Sequence, residues 1–337
     1  MKVAQELLIN YMNMYKKRKL CHRIMDKHKG LGEVNMDKRE LKSSALLLIT
    51  AAIWGFAFVA QRMGTMHVGA FTFTAFRFAL GSLSLAPLLI YFNRKKEKSE
   101  NSKMELKTSL VAGAAAGSVL FIAASLQQIG LIYTDAGKAG FITGLYIVIV
   151  PIFGIFLKQR IHISTWAGIA VAVLGLYFLS VTEGFYISKG DLYVIIGAFF
   201  WAIHILIIDH FTKRVDSLKL SFLQFVTCFV FSMITALIFE TIDFKSLSIV
   251  LIPLLYGGIM SAGIAYTLQI IGQKHARPSH AAVAMSMESV FASIGGFLIL
   301  NEVLGIRGYI GCALMLAGML LSQYENLTKK TGSSTPV

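Results

Sequence analysis

The feature that most constrains this chain is a series of ten apolar runs, each about 18–25 residues long and nearly free of charge. An α-helix needs a run of this length to cross the hydrocarbon core of a bilayer. Continuous runs, as opposed to ten-residue alternating segments, exclude an outer-membrane barrel. We therefore predict an all-α membrane protein with ten transmembrane helices. The predicted spans are about 44–61, 70–92, 109–129, 138–157, 163–181, 191–208, 219–239, 247–272, 279–299 and 305–323.

The composition agrees with residence in a membrane. Of the 337 residues, 55% are hydrophobic and only 15% are charged, whereas a soluble domain carries about 25% charged residues. These values exclude disordered, collagen-like and small disulfide-linked proteins. The cysteines Cys21, Cys228 and Cys312 are dispersed and lack C-x-x-C spacing. Neither a metal site nor a disulfide framework is therefore predicted.

The net charge of +14 is concentrated in particular loops. With the N-terminus in the cytoplasm, the ten spans put 26 Lys and Arg residues on the cytoplasmic side and five on the other. Such an excess is the positive-inside signal that orients membrane proteins. It predicts a multi-pass protein of a bacterial-type inner membrane with both termini cytoplasmic. The basic segments lack the interleaved aromatic residues of a base-stacking surface, so no nucleic-acid partner is expected.

Two tails are predicted outside the spans, a basic N-terminal one over residues 1–43 and a C-terminal one over 325–337. The first 35 residues allow two interpretations. They form either an amphipathic basic arm on the anionic inner leaflet or a poorly ordered tail. Met36 stands just before the first span, so it is also a candidate for the natural start of the protein.

The sequence contains a weak internal duplication, which is the strongest physical clue to function. Trp54 resembles Trp201, and Arg77 aligns with Gln224, both at an offset of 147. The segment 126–130 matches 268–272 at an offset of 142, and the glycines of 159–175 match those of 302–318 at 143. These offsets predict two five-helix repeats, 44–181 and 190–324. Because five is odd, the second repeat enters the membrane inverted, as in many secondary transporters.

Several short motifs resemble the EamA-type transporters of the drug/metabolite transporter superfamily. They are Trp54-Gly55, Arg77, Gly140-Phe141-Ile142-Thr143-Gly144-Leu145-Tyr146 with Val150-Pro151, Met287-Glu288-Ser289-Val290-Phe291, Leu300-Asn301-Glu302-Val303-Leu304, Tyr309-Ile310-Gly311 and Gly318. The resemblance covers about residues 44–324 and implies a ten-helix permease for metabolites or amino-acid-like compounds, often working outward. Two departures stand out: Glu288-Ser289 replaces the family's usual Glu-Pro, and the first-repeat counterpart of Glu302 is Gln159.

Polar groups inside apolar spans are costly unless they face protein or a water-filled cavity, so they are candidates for a translocation path. Arg77 is the only basic residue deep in a span, and its planar guanidinium can form two parallel hydrogen bonds to a substrate carboxylate or phosphate. The alternative for Arg77 is a structural role, in which the guanidinium ties together helix ends or carbonyl groups. Glu288 is the only acid deep in a span and is the candidate for proton coupling or for a cationic substrate group. Its alternatives are pairing with Arg77 or capping a broken helix.

The remaining candidates for substrate binding are amide, aromatic and imidazole groups. Amides recognise zwitterionic or hydroxylated solutes, and aromatic rings can line an apolar path. A lone His within a membrane is more often a hydrogen-bonded structural residue than a proton relay. Interhelical hydrogen bonding is the competing role for the amides. These candidates are Trp54, Gln127, Tyr146, Trp201, His204, Gln224, Tyr266 and Gln269.

Taken together, the sequence predicts a secondary transporter that moves a small organic solute by alternating access, preferentially outward. We expect small-molecule substrate and membrane lipid as partners, without a cofactor, a metal or catalysis. Proton coupling and a homodimer are both compatible with the sequence. The alternatives are an intramembrane transferase acting on lipid-linked intermediates and a non-transporting receptor or scaffold.

Overall fold

The computed structural model describes residues 38–94, 102–159, 161–180, 188–301 and 305–328. Within these ranges the chain forms helices joined by short loops, without a β-strand. The elements are α1 (Lys38–Thr65), α2 (Ala70–Arg94), α3 (Ser102–Tyr133), α4 (Ala136–Gly144), α5 (Tyr146–Phe156), α6 (Ile163–Ser180), α7 (Lys189–Thr212), α8 (Ser217–Phe239), α9 (Phe244–Ile249), α10 (Leu251–Leu255), a π-helical segment (Tyr256–Tyr266), α11 (Thr267–Gln273), α12 (Pro278–Met285), α13 (Glu288–Leu300) and α14 (Ile306–Thr328).

In this part of the chain, eight helical segments are long and apolar enough to cross a membrane. They coincide with eight of the ten predicted spans, and the molecule is a helical membrane protein. The predicted spans 163–181 and 305–323 fall on two shorter apolar helices, Ile163–Phe178 and Ile306–Ser322. Residues 1–37 and 329–337 of the predicted tails lie outside the described residues.

Two of the predicted spans are broken near their middle. The fourth is divided at Leu145 into α4 and α5, and the ninth is divided at Ser286 and Met287 into α12 and α13. Each second half begins with a polar residue, Tyr146 in α5 and Glu288 in α13. The two breaks occupy matching positions of the predicted repeats, because 146 and 288 differ by the same 142 that relates 126 to 268.

The predicted eighth span, 247–272, also departs from a simple helix. It consists of α9, α10, the π-helical segment and α11 in succession. The π-helical segment packs closely on α2 through glycines. A Cβ on Gly258 would lie 2.5 Å from Leu80 Cβ, and a Cβ on Gly81 would lie 2.7 Å from Ala262 Cβ. Only a hydrogen at these positions lets the two backbones approach so closely.

Helices α6 and α14 cross through two pairs of glycines. A Cβ on Gly168 would lie 2.6 Å from the Gly318 carbonyl oxygen, and one on Gly175 would lie 2.7 Å from the Gly311 carbonyl oxygen. These are the glycines that the sequence comparison aligned between the two repeats. Gly168 aligns with Gly311 but contacts Gly318, and Gly175 aligns with Gly318 but contacts Gly311. Reciprocal contacts of this kind are the pattern that a two-fold axis between the helices produces.

Basic residues cluster at one end of the helices, in the connections and in the adjoining helix turns. There, residues 159–165, 209–213 and 274–280 surround one cavity, and Lys219 Nζ lies 3.0 Å from Glu105 Oε1. We call this end, with residues 102–108, 157–165, 209–219 and 274–280, the basic end.

We call the other end of the helices the opposite end. Polar contacts there join the first and last turns of different helices. Lys138 Nζ lies 2.7 Å from Asp191 Oδ2, which connects the start of α4 to the start of α7. Glu240, just after α8, accepts hydrogen bonds from the first-turn N–H groups of Phe71 and Thr72 in α2. Arg62 donates to the Leu131 carbonyl and so ties the end of α1 to the end of α3.

Candidate functional site

A cavity of about 430 Å³ lies among the broken spans, the π-helical segment and the helices α1, α2, α3 and α7. Most of its lining side chains are almost completely buried, so bulk solvent barely reaches it. The lining residues are Trp54, Ala57, Phe58, Gln61, Arg77, Gln127, Thr143, Tyr146, Trp201, Ile205, Ser261, Tyr266, Gln269 and Glu288. Eight of the ten predicted site residues are among them, although they come from eight elements spread over 235 residues of sequence.

Three aromatic side chains form one wall of the cavity. The ring centroids of Trp54 and Tyr266 are 4.6 Å apart with an edge-to-face arrangement. Trp201 stacks on Tyr266 at 6.2 Å and lies 6.5 Å from Trp54. Because Trp54 and Trp201 are the aligned tryptophans of the two predicted repeats, both repeats contribute to this wall.

Arg77 points into the cavity from α2 without a polar partner. Its side chain is 2% exposed, and its Nε is buried without a hydrogen-bond partner. Among the described residues its guanidinium makes neither a hydrogen bond nor an ion pair, and its recorded contact is with the Phe78 ring at 4.7 Å. Gly257 of the π-helical segment leaves the space for its stem, since a Cβ there would lie 3.0 Å from Arg77 Cδ. The predicted alternative, a structural Arg bonded to carbonyls, therefore finds no contact in this part of the chain.

Glu288 and Tyr146 face the cavity from the two helix breaks. Glu288 is 3% exposed and its Oε1 lacks a hydrogen-bond partner, and the same is true of the hydroxyl of Tyr146 at 2% exposure. The two groups lie near each other without reaching hydrogen-bond geometry. Within the described residues Glu288 forms no ion pair with Arg77. Glu288 is the first residue of α13, and Met287 before it provides no side-chain cap.

The amides form a chain of hydrogen bonds along one side of the cavity. Trp201 Nε1 donates to Gln127 Oε1 at 2.9 Å, and Gln127 Nε2 donates to Gln61 Oε1 at 3.2 Å. Gln127 is thus occupied by protein partners, as the interhelical alternative predicts. Gln269, its aligned counterpart, keeps a buried and unpartnered Oε1 that faces the cavity. Gln61 was missed by sequence reasoning, although its spacing of seven from Trp54 places both on one helical face.

His204 and Gln224 do not line the cavity. They bond to each other, His204 Nε2 to Gln224 Oε1 at 2.9 Å. The His204 ring packs against Trp201 and Tyr266 at centroid distances of 5.9 and 6.2 Å. The pair thus supports the aromatic wall from behind, which sequence alone cannot distinguish from direct contact. Thr143 and Ser261 do line the cavity and were also missed.

The family model of the EamA-like transporter family matches the chain twice, over residues 41–181 and 188–324. The chain belongs to this family. An uncharacterized transporter of Archaeoglobus fulgidus is 28% identical over 94% of this chain and 97% of its own length. The uncharacterized transporter YoaV of Bacillus subtilis is 22% identical over 84% of this chain and 97% of its own length.

A crystal structure 19% identical in sequence shares the fold with a TM-score of 0.67, over 86% of this chain and 99% of that chain. These likenesses agree with a membrane transporter of the EamA-like family. In such a protein the cavity presents a cation, a carboxyl group, a free phenol and a free amide oxygen to one small space, with an aromatic wall beside them. That combination can bind a solute that carries both charged ends and an apolar body.

Proposed function

We propose that this EamA-like family member is a secondary transporter that carries a small organic solute through the buried cavity by alternating access. The observation that carries the proposal is the set of polar groups without protein partners in that cavity. A buried group left unpaired costs about 1–3 kcal/mol, and more when it is charged. A solute that supplies the missing partners recovers that free energy, so the cavity is built to be occupied.

The proposed architecture is ten spans in two inverted repeats, 44–181 and 190–324. The reciprocal glycine contacts of α6 with α14 support it, as do the matched helix breaks. Transporters of this architecture place their substrate at midplane beside discontinuous helices. Tyr146 and Glu288 stand at such breaks.

The proposed substrate is a zwitterionic, amino-acid-like solute with an apolar side chain. Arg77 would receive its carboxylate in a bidentate hydrogen bond, as guanidinium groups commonly do. Glu288 would receive its ammonium group, or exchange a proton with it. Trp54, Trp201 and Tyr266 would contact the apolar body.

We further propose that the protein lies in a cytoplasmic membrane with both termini inside. The basic end then faces the cytoplasm, as the positive-inside rule requires. Export is the proposed direction. The relatives' designations as transporters support transport over catalysis.

A solute-accumulation screen tests this proposal. Cells producing the protein are compared with cells producing Arg77→Ala or Glu288→Ala, and the retained and released metabolites are measured by mass spectrometry. Arg307→Ala and Glu105→Ala are the matched controls, because both residues are exposed and lie outside the cavity. We expect the level of one solute class to differ between cells that produce the protein and cells that lack it. Both control variants should show the same difference, and either cavity variant should abolish it. Equal levels in all strains would contradict transport of the metabolites measured.

A further inference from the structure

A second and larger cavity opens at the basic end, between the two family-matched segments. It encloses about 1040 Å³ and receives residues from the α5–α6 connection, α6, α7 and the α11–α12 connection. We call it the vestibule. Its lining residues are Gln159, Ile161, His162, Thr165, Asp209, Lys213, Lys274, His275, Ala276, Arg277, Pro278, Ser279 and His280.

The charge of the vestibule is predominantly positive. Lys213, Lys274 and Arg277 carry full positive charges, and three histidines add groups that can be protonated. Asp209 is the one acidic residue in the lining, and Lys213 Nζ lies 3.4 Å from its carboxylate. With neutral histidines the lining therefore has a formal charge of +2. A cleft lined by one sign of charge concentrates the field and raises the local concentration of counter-ions.

Two groups at the base of the vestibule can bind an anion directly. Ser279 is 5% exposed and belongs to the lining of the vestibule. His280 Nε2 lies 3.0 Å from Thr165 Oγ1, which holds the imidazole at the same depth. Both residues belong to the first turn of α12, where an acidic side chain is absent. The local chemistry therefore favours a negative group.

The vestibule and the central cavity are lined by neighbouring parts of the same broken span and of the same helix α7. α7 places Asp209 in the vestibule and Ile205, one turn earlier, in the cavity. His280 of α12 lines the vestibule, and Glu288, eight residues later at the start of α13, lines the cavity. The buried Gln273 of α11 is bonded to a cavity element, because its Nε2 donates to the Ile205 carbonyl at 3.4 Å, while its Oε1 has no partner.

We propose that the vestibule is an anion-binding antechamber, which takes soluble solutes bearing a carboxylate or phosphate group before they pass to Arg77. This inference rests on the proposed transport function, and it adds the charge class of the solute and the end from which it enters. The pocket at the opposite end contains Glu240 and Asp243 and neither Lys nor Arg in its described lining. The two ends therefore differ in the sign of charge that they present.

The test measures the local potential chemically and needs no transport. In a variant with Cys21, Cys228 and Cys312 replaced by alanine, Ser279→Cys supplies one reactive thiol. This thiol is labelled with an anionic (sulfonated) and with a cationic (trimethylammonium) methanethiosulfonate. Each labelling rate is divided by the rate of the same reagent with a free thiol in solution, and the two quotients are compared. We expect a preference of about tenfold for the anionic reagent, lost at high salt and in the double variant Lys274→Gln, Arg277→Gln.

Matched controls fix the interpretation. Lys219→Gln removes a positive charge at the basic end outside the vestibule and should leave the preference nearly unchanged. Thr241→Cys, beside Glu240 at the opposite end, should prefer the cationic reagent. If Ser279→Cys does not fold, Ala276→Cys reports on the same space. A ratio near one at the vestibule thiol, whatever the controls show, overturns the proposal.

Binding is then tested by protection with inorganic phosphate at constant ionic strength, in phosphatidylcholine nanodiscs. We expect phosphate to slow labelling of the Ala276→Cys thiol, which leaves Ser279 in place, severalfold, and the double variant to lose that protection. A preference without phosphate protection contradicts a binding site. Protection by phosphatidylglycerol in the nanodisc, without protection by phosphate, assigns the site to a lipid headgroup and overturns the soluble-solute proposal. Because labelling requires no flux, these outcomes are independent of the metabolite screen.

Discussion

Among the described residues, five buried polar atoms without a hydrogen-bond partner belong to residues that line the central cavity. They are Arg77 Nε, Thr143 Oγ1, Tyr146 OH, Gln269 Oε1 and Glu288 Oε1. Buried polar groups in native proteins are nearly always paired. Such atoms also occur outside the lining, as at His204 Nδ1 and Gln224 Nε2, so an absent partner alone does not distinguish functional from structural residues. The proposed role of the five rests on their convergence on one cavity.

Arg77 provides a direct test of this distinction. We expect Arg77→Met to lower solute transport at least tenfold while leaving the thermal unfolding midpoint in detergent unchanged or raised, because it removes a buried charge without a protein partner. Phe78→Ala, the matched control at the next position, deletes a fully buried ring and should cost about 3–5 kcal/mol. An Arg77→Met protein that unfolds as early as Phe78→Ala would assign Arg77 a structural role.

Glu288 is tested by proton coupling. If its carboxyl group exchanges protons with the two sides, Glu288→Gln should abolish the acceleration of flux by an imposed pH gradient in proteoliposomes. Exchange of solute without a gradient should continue. Glu105→Gln, an exposed acid at the basic end, is the control and should keep the gradient response. Flux in Glu288→Gln that still follows the gradient would end the coupling proposal and leave facilitated diffusion.

At the scale of the elements, the two broken spans are the parts of the fold that sequence periodicity concealed. Their halves pack together: Ser289 Oγ of α13 donates to the Gly140 carbonyl of α4 at 2.7 Å. A Cβ on Gly144 would lie 3.0 Å from that same hydroxyl oxygen. Breaks of this kind free backbone groups that are tolerated in a membrane only where protein or a cavity satisfies them.

The α6–α14 crossing yields a prediction about packing. Gly168→Ala and Gly318→Ala each insert a Cβ within about 2.6 Å of a facing carbonyl oxygen, so each should destabilise the protein by about 1–3 kcal/mol. Gly305→Ala is the matched control, because its Cβ would meet nothing within 4 Å. Thermal unfolding of the purified variants measures the difference. Equal midpoints for all three would mean that the crossing is looser than its geometry indicates.

At the scale of the whole molecule, different contacts hold the helices together at the two ends. The opposite end is held by Asp191, which accepts hydrogen bonds from Lys138 Nζ at 2.7 Å, Thr134 Oγ1 at 2.8 Å and the Ser188 N–H at 2.7 Å. The basic end instead has the vestibule and an exposed ion pair, Lys219 with Glu105. Under the proposed alternating-access mechanism, the Asp191 contacts would hold the opposite end closed.

Loosening the Asp191 contact should therefore shift the protein towards opening at the opposite end. In a cysteine-free background carrying Thr143→Cys in the cavity, we expect Asp191→Asn to increase labelling by a membrane-impermeant maleimide severalfold on intact cells. The substitution removes the ion pair with Lys138 and the charge-assisted hydrogen bonds of Asp191. These contacts stabilise only the closed state, so their loss favours the open one.

Asp243→Asn is the matched control, because Asp243 is also at the opposite end but caps α9 within its own segment. The hydroxyl of Ser246 and two backbone N–H groups hold the pKa of Asp243 below its ordinary value, so this residue is a carboxylate at neutral pH. Its variant should label at the parent rate. Identical labelling of both variants would show that Asp191 does not control access to the cavity.

The sequence by itself determined the membrane class, the approximate positions of eight spans and most of the cavity residues. Hydropathy, glycine spacing and polar groups within apolar runs are local properties, and a bilayer acts on them directly. Arg77 and Glu288 were identifiable because a charge inside a span is unusual wherever it points.

The tertiary structure alone decided which polar residues meet. Lipid and protein interior are both apolar, so a span carries little amphipathic pattern to show which face turns inward. Gln61, Thr143 and Ser261 thus joined the cavity, while His204 and Gln224 fell behind its wall. The helix breaks, the π-helical segment and the vestibule likewise depend on how close neighbouring backbones come, and that distance is set by contacts far apart in sequence.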